Sequence, residues 1–290
     1  MATSSRLLTI LGLFLSLGTA AIVHPGQRVL SSGKSTISAA KKLEHVRKQL
    51  HKAEIIPTVI DNFIPSLLVE AKWDDKYHAD LGNTLKPKHL EDAPKIHLHD
   101  PSSHHGKKHQ ASNSGCSTTN SNSHHHAVPK ANYVFALTDP DAPSRDDPKW
   151  SEFCHWIAMR PYEKDSSNLS DCLEDAAGAV KALDLDEIME YKPPSPPEDT
   201  GKHRYVLLVF VPANATTEKI YPSKPEDRKH WGYDVDDDGL DEDKGVSWWG
   251  WNWTGDRDKA KAAETPGVRR WASENGLVAV GANFIYAEHE

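Results

Sequence analysis

Three short runs constrain this chain most: YVFALT at 133–138, FCHWIAM at 153–159 and YVLLVFV at 205–211. Each is nearly continuous in apolar character and rich in aromatic and β-branched residues, and strands of that kind are covered on both faces. A chain holding three of them must place other layers on both sides of one sheet. Its 290 residues allow one large domain or two small ones. SLLVEAKW at 66–73 reads as a further short strand, and LVAVGANFIYAEHE as a last one. Helical spacing appears at Leu43, Val46 and Leu50 within 41–52, and at Leu173, Ala177, Val180 and Leu183. RRWASENG reads as another helix, with Gly276 available as a left-handed stop. The pattern predicts a β-rich topology with peripheral helices.

The first segment is an address. Residues 1–21 carry Arg6, an apolar run over 7–17 and small residues at the end, the layout of a secretory signal peptide cleaved near Ala20 or Ala21. The run is too short to span a bilayer of ~30 Å, so no transmembrane segment is expected. A flexible segment at 22–40 and a folded region at 41–290 follow in this reading. In that context Asn168, Asn214 and Asn252, each in an N-x-[ST] triplet, are glycosylation candidates. Of three cysteines, Cys116, Cys154 and Cys172, one pair would oxidise; Cys154 and Cys172 are the disulfide candidates because they close the shorter loop.

Residues 97–127 hold clustered His among Ser, Asn, Thr, Lys and Gly, with almost nothing to bury, and read as a flexible insert without the fixed geometry that metal ligation needs. DVDDDGLDED at 234–243 starts like a calcium loop, but Gly245 stands where the bidentate Glu belongs, so a solvated acidic loop is expected. The formal charge of −8 argues against a nucleic-acid partner, which needs a basic face.

Two connections carry chemistry. DPDAPSRDDPKWSEFCH at 139–155 leaves one apolar strand and enters the next, with Pro140, Pro143 and Pro148 fixing φ between them. It presents carboxylates at Asp139 and Asp141 and an imidazole at His155. TGKHRY at 200–205 sets His203 at the mouth of another strand. Taken singly, the first reads as an Asp-capped turn and the second as a structural histidine. Taken together, two imidazoles could donate to phosphate or sulfate oxygens while Asp139 accepts from a ring or from an ethanolamine ammonium. If ring protonation governs binding, affinity should rise as pH falls through roughly 6–7.

The D-P-D-A-P-S-R-x-D-P-K block followed by His155, and G-x-H-R-Y some fifty residues later, resemble the signature blocks of the phosphatidylethanolamine-binding protein family, which includes Raf kinase inhibitor protein and the yeast carboxypeptidase Y inhibitor. The resemblance runs from about residue 55 through LGNTLKP to ANFIYAEHE. It implies a mainly β domain, an antiparallel β-sandwich with small helices, here with long polar inserts, and a shallow anion pocket at one end. Carried across by motif position, Asp139, Ala142, Pro143, Trp150, His155, His203 and Tyr205 line that pocket, and Ala142-Pro143 is a candidate cis bond. The chain departs from the family pattern at 193–197, where PPSPP replaces a glycine-containing rim, at Trp150 for Tyr, and at Cys154 for His.

The resemblance implies a secreted, non-catalytic binding protein that takes a phosphate-bearing small molecule or phospholipid head group, without a cofactor, and that inhibits or scaffolds a protein such as a serine carboxypeptidase. One alternative is a secreted hydrolase using Asp139, His155 and His203. No G-x-S-x-G supplies it with a nucleophile, and Cys154, next to His155 on a strand, points to the opposite face. Another is a structural secreted protein with a vestigial pocket.

Overall fold

The computed structural model describes residues 34–101, 131–161, 179–180, 185–233, 240–241, 246–247 and 266–290. The segment 1–21, most of the His-rich insert, Cys116, Cys172, Asn168 and Asn252 lie outside them.

The elements run α1 (Lys34–Lys52), β1 (Leu68–Lys72), β2 (Asn83–Thr84), β3 (Lys95–His99), β4 (Tyr133–Asp139), β5 (Phe153–Arg160), β6 (Ala179–Val180), β7 (Asp186–Met189), β8 (His203–Pro212), β9 (Leu240–Asp241), β10 (Val246–Ser247), α2 (Val268–Glu274) and β11 (Leu277–Ala287). The three apolar runs are β4, β5 and β8, neighbours in a six-stranded sheet of order β2-β11-β8-β4-β5-β7. A three-stranded sheet has the order β1-β3-β6, and β9 pairs with β10.

Alternation along the strands splits the core in two. Phe135 and Leu137 on β4, Leu207 and Val209 on β8 and Ile285 on β11 meet Val69, Ala71, Ile96 and Leu98 of the smaller sheet. Val134 and Ala136, Val206 and Leu208, and Phe284 instead meet Val46 and Leu50 of α1 and Val268 and Trp271 of α2. Both faces of the central strands are therefore covered, which is why they carry no polar alternation. Beyond α2, Gly276 adopts φ +63, the left-handed stop anticipated from the sequence.

Four expectations need correction. The pairing is mixed rather than antiparallel throughout, because β2 runs parallel to β11 (Ile285↔Asn83). Gly82, at φ +107, brings the chain alongside Phe284 so closely that an added Cβ would lie 2.8 Å from the ring, and Gly82 N–H donates to the Phe284 carbonyl (2.9 Å). Next, α1 starts at Lys34 rather than Lys41 and buries Ala39 as a further position of the Leu43, Val46, Leu50 stripe, so 34–40 is not a flexible lead-in. His97 and His99 are strand residues: the inward alternates Ile96 and Leu98 fix β3 and turn the two rings to its other side, where they stack. Val180, assigned to a helical stripe, pairs instead with Ile96 on β6; the other residues of that stripe lie outside the described residues. No helix among the described residues is long and apolar enough to cross a membrane.

Candidate functional site

Asp139 ends β4, His203 and Tyr205 open β8, and all three have the parity of Leu137 and Leu207, so they share one face at one end of the sheet. His155 reaches that face by a different device. Leu137 pairs with Trp156 but Thr138 with Cys154, so His155 is the extra residue of a β-bulge. Without the bulge, Cys154 and Trp156 would share a face; with it, Cys154 enters one core and Trp156 the other. The bulge costs ladder bonds, which Arg228 replaces. Cys154 N–H donates to the Arg228 carbonyl (2.7 Å). The Arg228 guanidinium donates to the carbonyls of Cys154 (3.1 Å), His155 (3.2 Å) and Glu190 (2.9 Å).

The two rings pack around Tyr205, His155 edge-on at 5.1 Å between centroids and His203 nearly parallel at 6.4 Å. His203 is 1% exposed and His155 4%. Both nitrogens of His203 are engaged: Nδ1 lies 2.8 Å from Asp139 Oδ2, and Nε2 lies 2.9 Å from Thr200 Oγ1. Because the Thr200 hydroxyl donates to the Pro197 carbonyl (2.8 Å), it accepts from His203, so Nε2 carries a hydrogen. Burial raises the Asp139 carboxyl above its ordinary range, opposed by His203. Its Oδ1 accepts the Asp141 N–H at 2.8 Å, the Asp-capped turn. The Tyr205 hydroxyl, pushed up first by burial and then by the Asp139 carboxylate, also meets the backbone of Ser195, so the proline-rich rim closes over the ring.

His155 differs. Its Nδ1–H donates to the Lys192 carbonyl at 2.7 Å, while Lys192 N–H donates back to the His155 carbonyl at 2.8 Å. A carbonyl only accepts, so Nδ1 holds the hydrogen and Nε2 is a lone pair. Nε2 has no partner among the described residues and is not a sealed orphan. Burial pushes the His155 ring down to about 4, with Arg228 and Lys192 adding to the effect and the Lys192 hydrogen bond opposing it. Protonation of His155 thus falls well below the pH 6–7 window expected from the ordinary imidazole range.

The remaining sequence candidates flank the cluster. Ala142-Pro143 is cis, and the Ala142 carbonyl accepts Trp150 N–H at 3.0 Å. The Trp150 ring lies under Lys229 Nζ at 4.6 Å, and among the described residues no hydrogen bond or ring contact joins it to either histidine. Asp141 takes a structural role, accepting from Arg204 N (2.8 Å), Nε (2.9 Å) and Nη2 (2.6 Å), while Arg204 Nη1 donates to the Ala53 and Glu54 carbonyls. Cys154 is a fully buried thiol, free among the described residues, and its strand position faces the apolar core behind β5; Cys172, its candidate disulfide partner, lies outside the described residues. Burial pushes that thiol up, away from the reactive thiolate. Asn214 stands exposed just past β8, its Oδ1 accepting Thr216 N–H. Among the described residues no group of three metal-ligating side chains forms.

Sequence reasoning missed Thr200, Arg228 and Glu152. Thr200 sits within the quoted T-G-K-H-R-Y block, three residues before His203, and could have been read as its partner. Arg228 carries no local signal, since it acts on carbonyls seventy-odd residues away in sequence. Glu152 is buried behind the bulge, where burial pushes its carboxyl up to about 8.

The chain is similar in sequence and in fold to known proteins. The chain is 32% identical over 179 residues to the carboxypeptidase Y inhibitor of Saccharomyces cerevisiae, an alignment covering 56% of this chain and 66% of that protein, just under two thirds of its length. The crystal structure of carboxypeptidase Y inhibitor complexed with the cognate proteinase superposes with a TM-score of 0.55 at 23% identity, covering 86% of this chain and 97% of that one. A phosphatidylethanolamine-binding protein from Plasmodium vivax does so at 0.50 and 14%, covering 84% and 97%. These structures share the fold. The sequence profile described as phosphatidylethanolamine-binding protein matches residues 79–284, more than half the chain and inclusive of both signature blocks, and the chain therefore belongs to that family.

Proposed function

We propose that this chain is a secreted, non-catalytic binding protein that holds a small phosphate-bearing anion at the end of its central sheet and engages a carboxypeptidase as its protein partner. The observation that carries the anion reading is convergence. Asp139, His155, His203 and Tyr205, brought from three strands and in one case by a bulge, meet on one face, with a single ring nitrogen left open among the described residues. A purely structural cluster would saturate that nitrogen. Arg228 and the Lys192 side chain contribute positive charge near the ring, as an anion site requires.

The non-catalytic reading is supported by the nucleophile inventory. Cys154 faces the opposite core with its thiol held neutral, and the Thr200 hydroxyl is committed to Pro197 and His203. The carboxypeptidase partner is supported by the likeness to the yeast inhibitor.

Titration with phosphate and phosphorylethanolamine, followed through the imidazole NMR signals of His155 and His203, tests the anion reading. Saturable shifts at both rings are expected, with the shift of the remaining His203 signal lost or moved to much higher ligand concentration in His155→Ala; unmoved signals at high ligand would overturn it. Inhibition of carboxypeptidase Y tests the partner, and hydrolysis proceeding at an undiminished rate under excess protein would remove it.

A further inference from the structure

The anion reading leaves the ligand's protonation state open, and the hydrogen-bond pattern around His155 decides it. Its Nδ1–H is committed to the Lys192 carbonyl, so the one ring nitrogen that the described residues leave open to a ligand is an acceptor. The second ring offers no replacement donor, because His203 Nε2–H goes to Thr200 and Nδ1 to Asp139. A fully deprotonated anion would meet Nε2 lone pair to lone pair. The ligand group that touches this nitrogen must therefore bring a hydrogen.

Ammonium groups and hydroxyl-bearing anions both can, and the surroundings separate them. The groups around the ring are His203 and Tyr205 from β8, with Asp139 of β4 behind them, Lys192 after β7, and Arg228 from the segment between β8 and β9. Asp139 and His203 are paired with each other, and Lys192 and Arg228 are cations whose charge reaches the ring. That field repels an ammonium and attracts an anion.

We propose that the site selects a phosphomonoester in its monoanionic state, with the phosphoryl hydroxyl donating to His155 Nε2 and the remaining oxygens facing the Arg228 side. The inference rests on the anion reading and narrows it: sulfates and phosphodiesters, which carry no hydrogen at neutral pH, are excluded as good ligands. No bond is broken, and the proton stays on the ligand or is shared with the ring.

The test uses three small probes on the intact protein: methyl phosphate, methyl sulfate of nearly the same size, and dimethyl phosphate, one methyl larger. Monoanionic methyl phosphate has the charge of the other two and differs from each by its hydroxyl. Near about pH 5, methyl phosphate is expected to bind roughly tenfold or more tightly than either, the cost of leaving a buried acceptor unpaired. Its affinity should then fall about tenfold per pH unit above its second ionisation near ~6. The ¹⁵N shifts of the His155 ring in the unliganded protein should show Nδ1 protonated and Nε2 bare, a readout independent of any variant's folding. His155→Gln, which can turn an N–H toward the ligand, should erase the preference over methyl sulfate. Equal affinity for methyl sulfate and methyl phosphate, or affinity flat from about pH 5 to about pH 8, would sink the inference while leaving an anion site in place. Binding of none of the three would instead overturn the anion reading itself.

Discussion

At one end of the six-stranded sheet the two faces carry two buried polar clusters built from alternate residues of the same strands, and they differ in one respect. On the face toward the smaller sheet, Asp139, His155, His203 and Tyr205 leave His155 Nε2 unpaired among the described residues. On the face toward the helices, Thr138 Oγ1 lies 2.9 Å from Glu152 Oε2 and accepts Trp231 Nε1–H at 3.0 Å. There, too, Arg204 closes on Asp141. D-P-D and H-R-Y are both divided between the two clusters: Asp139 meets His203, with Tyr205 beside it, in one, and Asp141 meets Arg204 in the other. A signature block in this chain is therefore half scaffold and half proposed site, and the anion reading assigns binding to the half that leaves a nitrogen open among the described residues.

Substitutions should expose that division. Arg204→Ala strands Asp141 at 1% exposure and frees the Ala53 and Glu54 carbonyls. A loss of about 3–5 kcal/mol in chemical denaturation is expected for a broken buried pair. A loss below about 1 kcal/mol would mean the pair behaves as a surface bridge and the scaffold assignment is wrong. His155 contributes through pH. Its folded-state value is depressed to about 4 from 6.5, so its contribution is present above about 6.5 and is lost as pH falls toward about 4. Linkage makes this roughly 3 kcal/mol of stability, and the slope should be missing in His155→Gln when denaturation is followed across that range.

Glu152 titrates in the opposite sense on the opposite face. Its folded value is raised from 4.5 to about 8, so its contribution is present below about 4.5 and is lost as pH rises toward about 8. Glu152→Gln, with its amide oxygen in the place of Oε2, keeps the acceptor for the Thr138 hydroxyl and the Val268 N–H without the ionisation. At about pH 8 the variant should be about 1–2 kcal/mol more stable than the parent, since the amide recovers only part of the linkage difference. Parallel stability curves for the two proteins would show that Glu152 is solvated.

How much of this was legible follows from where each signal lies. The strands β4, β5, β8 and β11 were readable because long apolar runs have few other ways to be buried. Val180 was misread because a residue spaced three to four from other apolar positions fits a helical stripe as well as a two-residue strand, and only Ile96 across the sheet decides. The site was legible as Asp139, His155, His203 and Tyr205, which sit inside two contiguous blocks. Two properties of it were not. The bulge at His155 is a matter of register between β4 and β5, invisible in either strand alone, and the direction of the Nδ1 bond depends on a carbonyl at Lys192. Those two long-range facts turn a generic pair of histidines into one strut and one acceptor.

Thr200 offers the smallest effect and the finest test of that distinction. Its hydroxyl donates to the Pro197 carbonyl and accepts from His203 Nε2, tying the turn before β8 to the strut histidine. Thr200→Val keeps the shape and removes both bonds, for an expected loss of about 1–2 kcal/mol in thermal or chemical denaturation. If the nitrogen that meets ligand belongs to His155, as proposed, methyl phosphate affinity in the folded variant should stay within about twofold of the parent, well under the cost of one hydrogen bond. A folded Thr200→Val protein whose affinity changes by tenfold or more, about 1.4 kcal/mol, would place His203 Nε2 against the ligand. The difference between the two rings, and the choice of a hydrogen-bearing anion built on it, would then have to be given up.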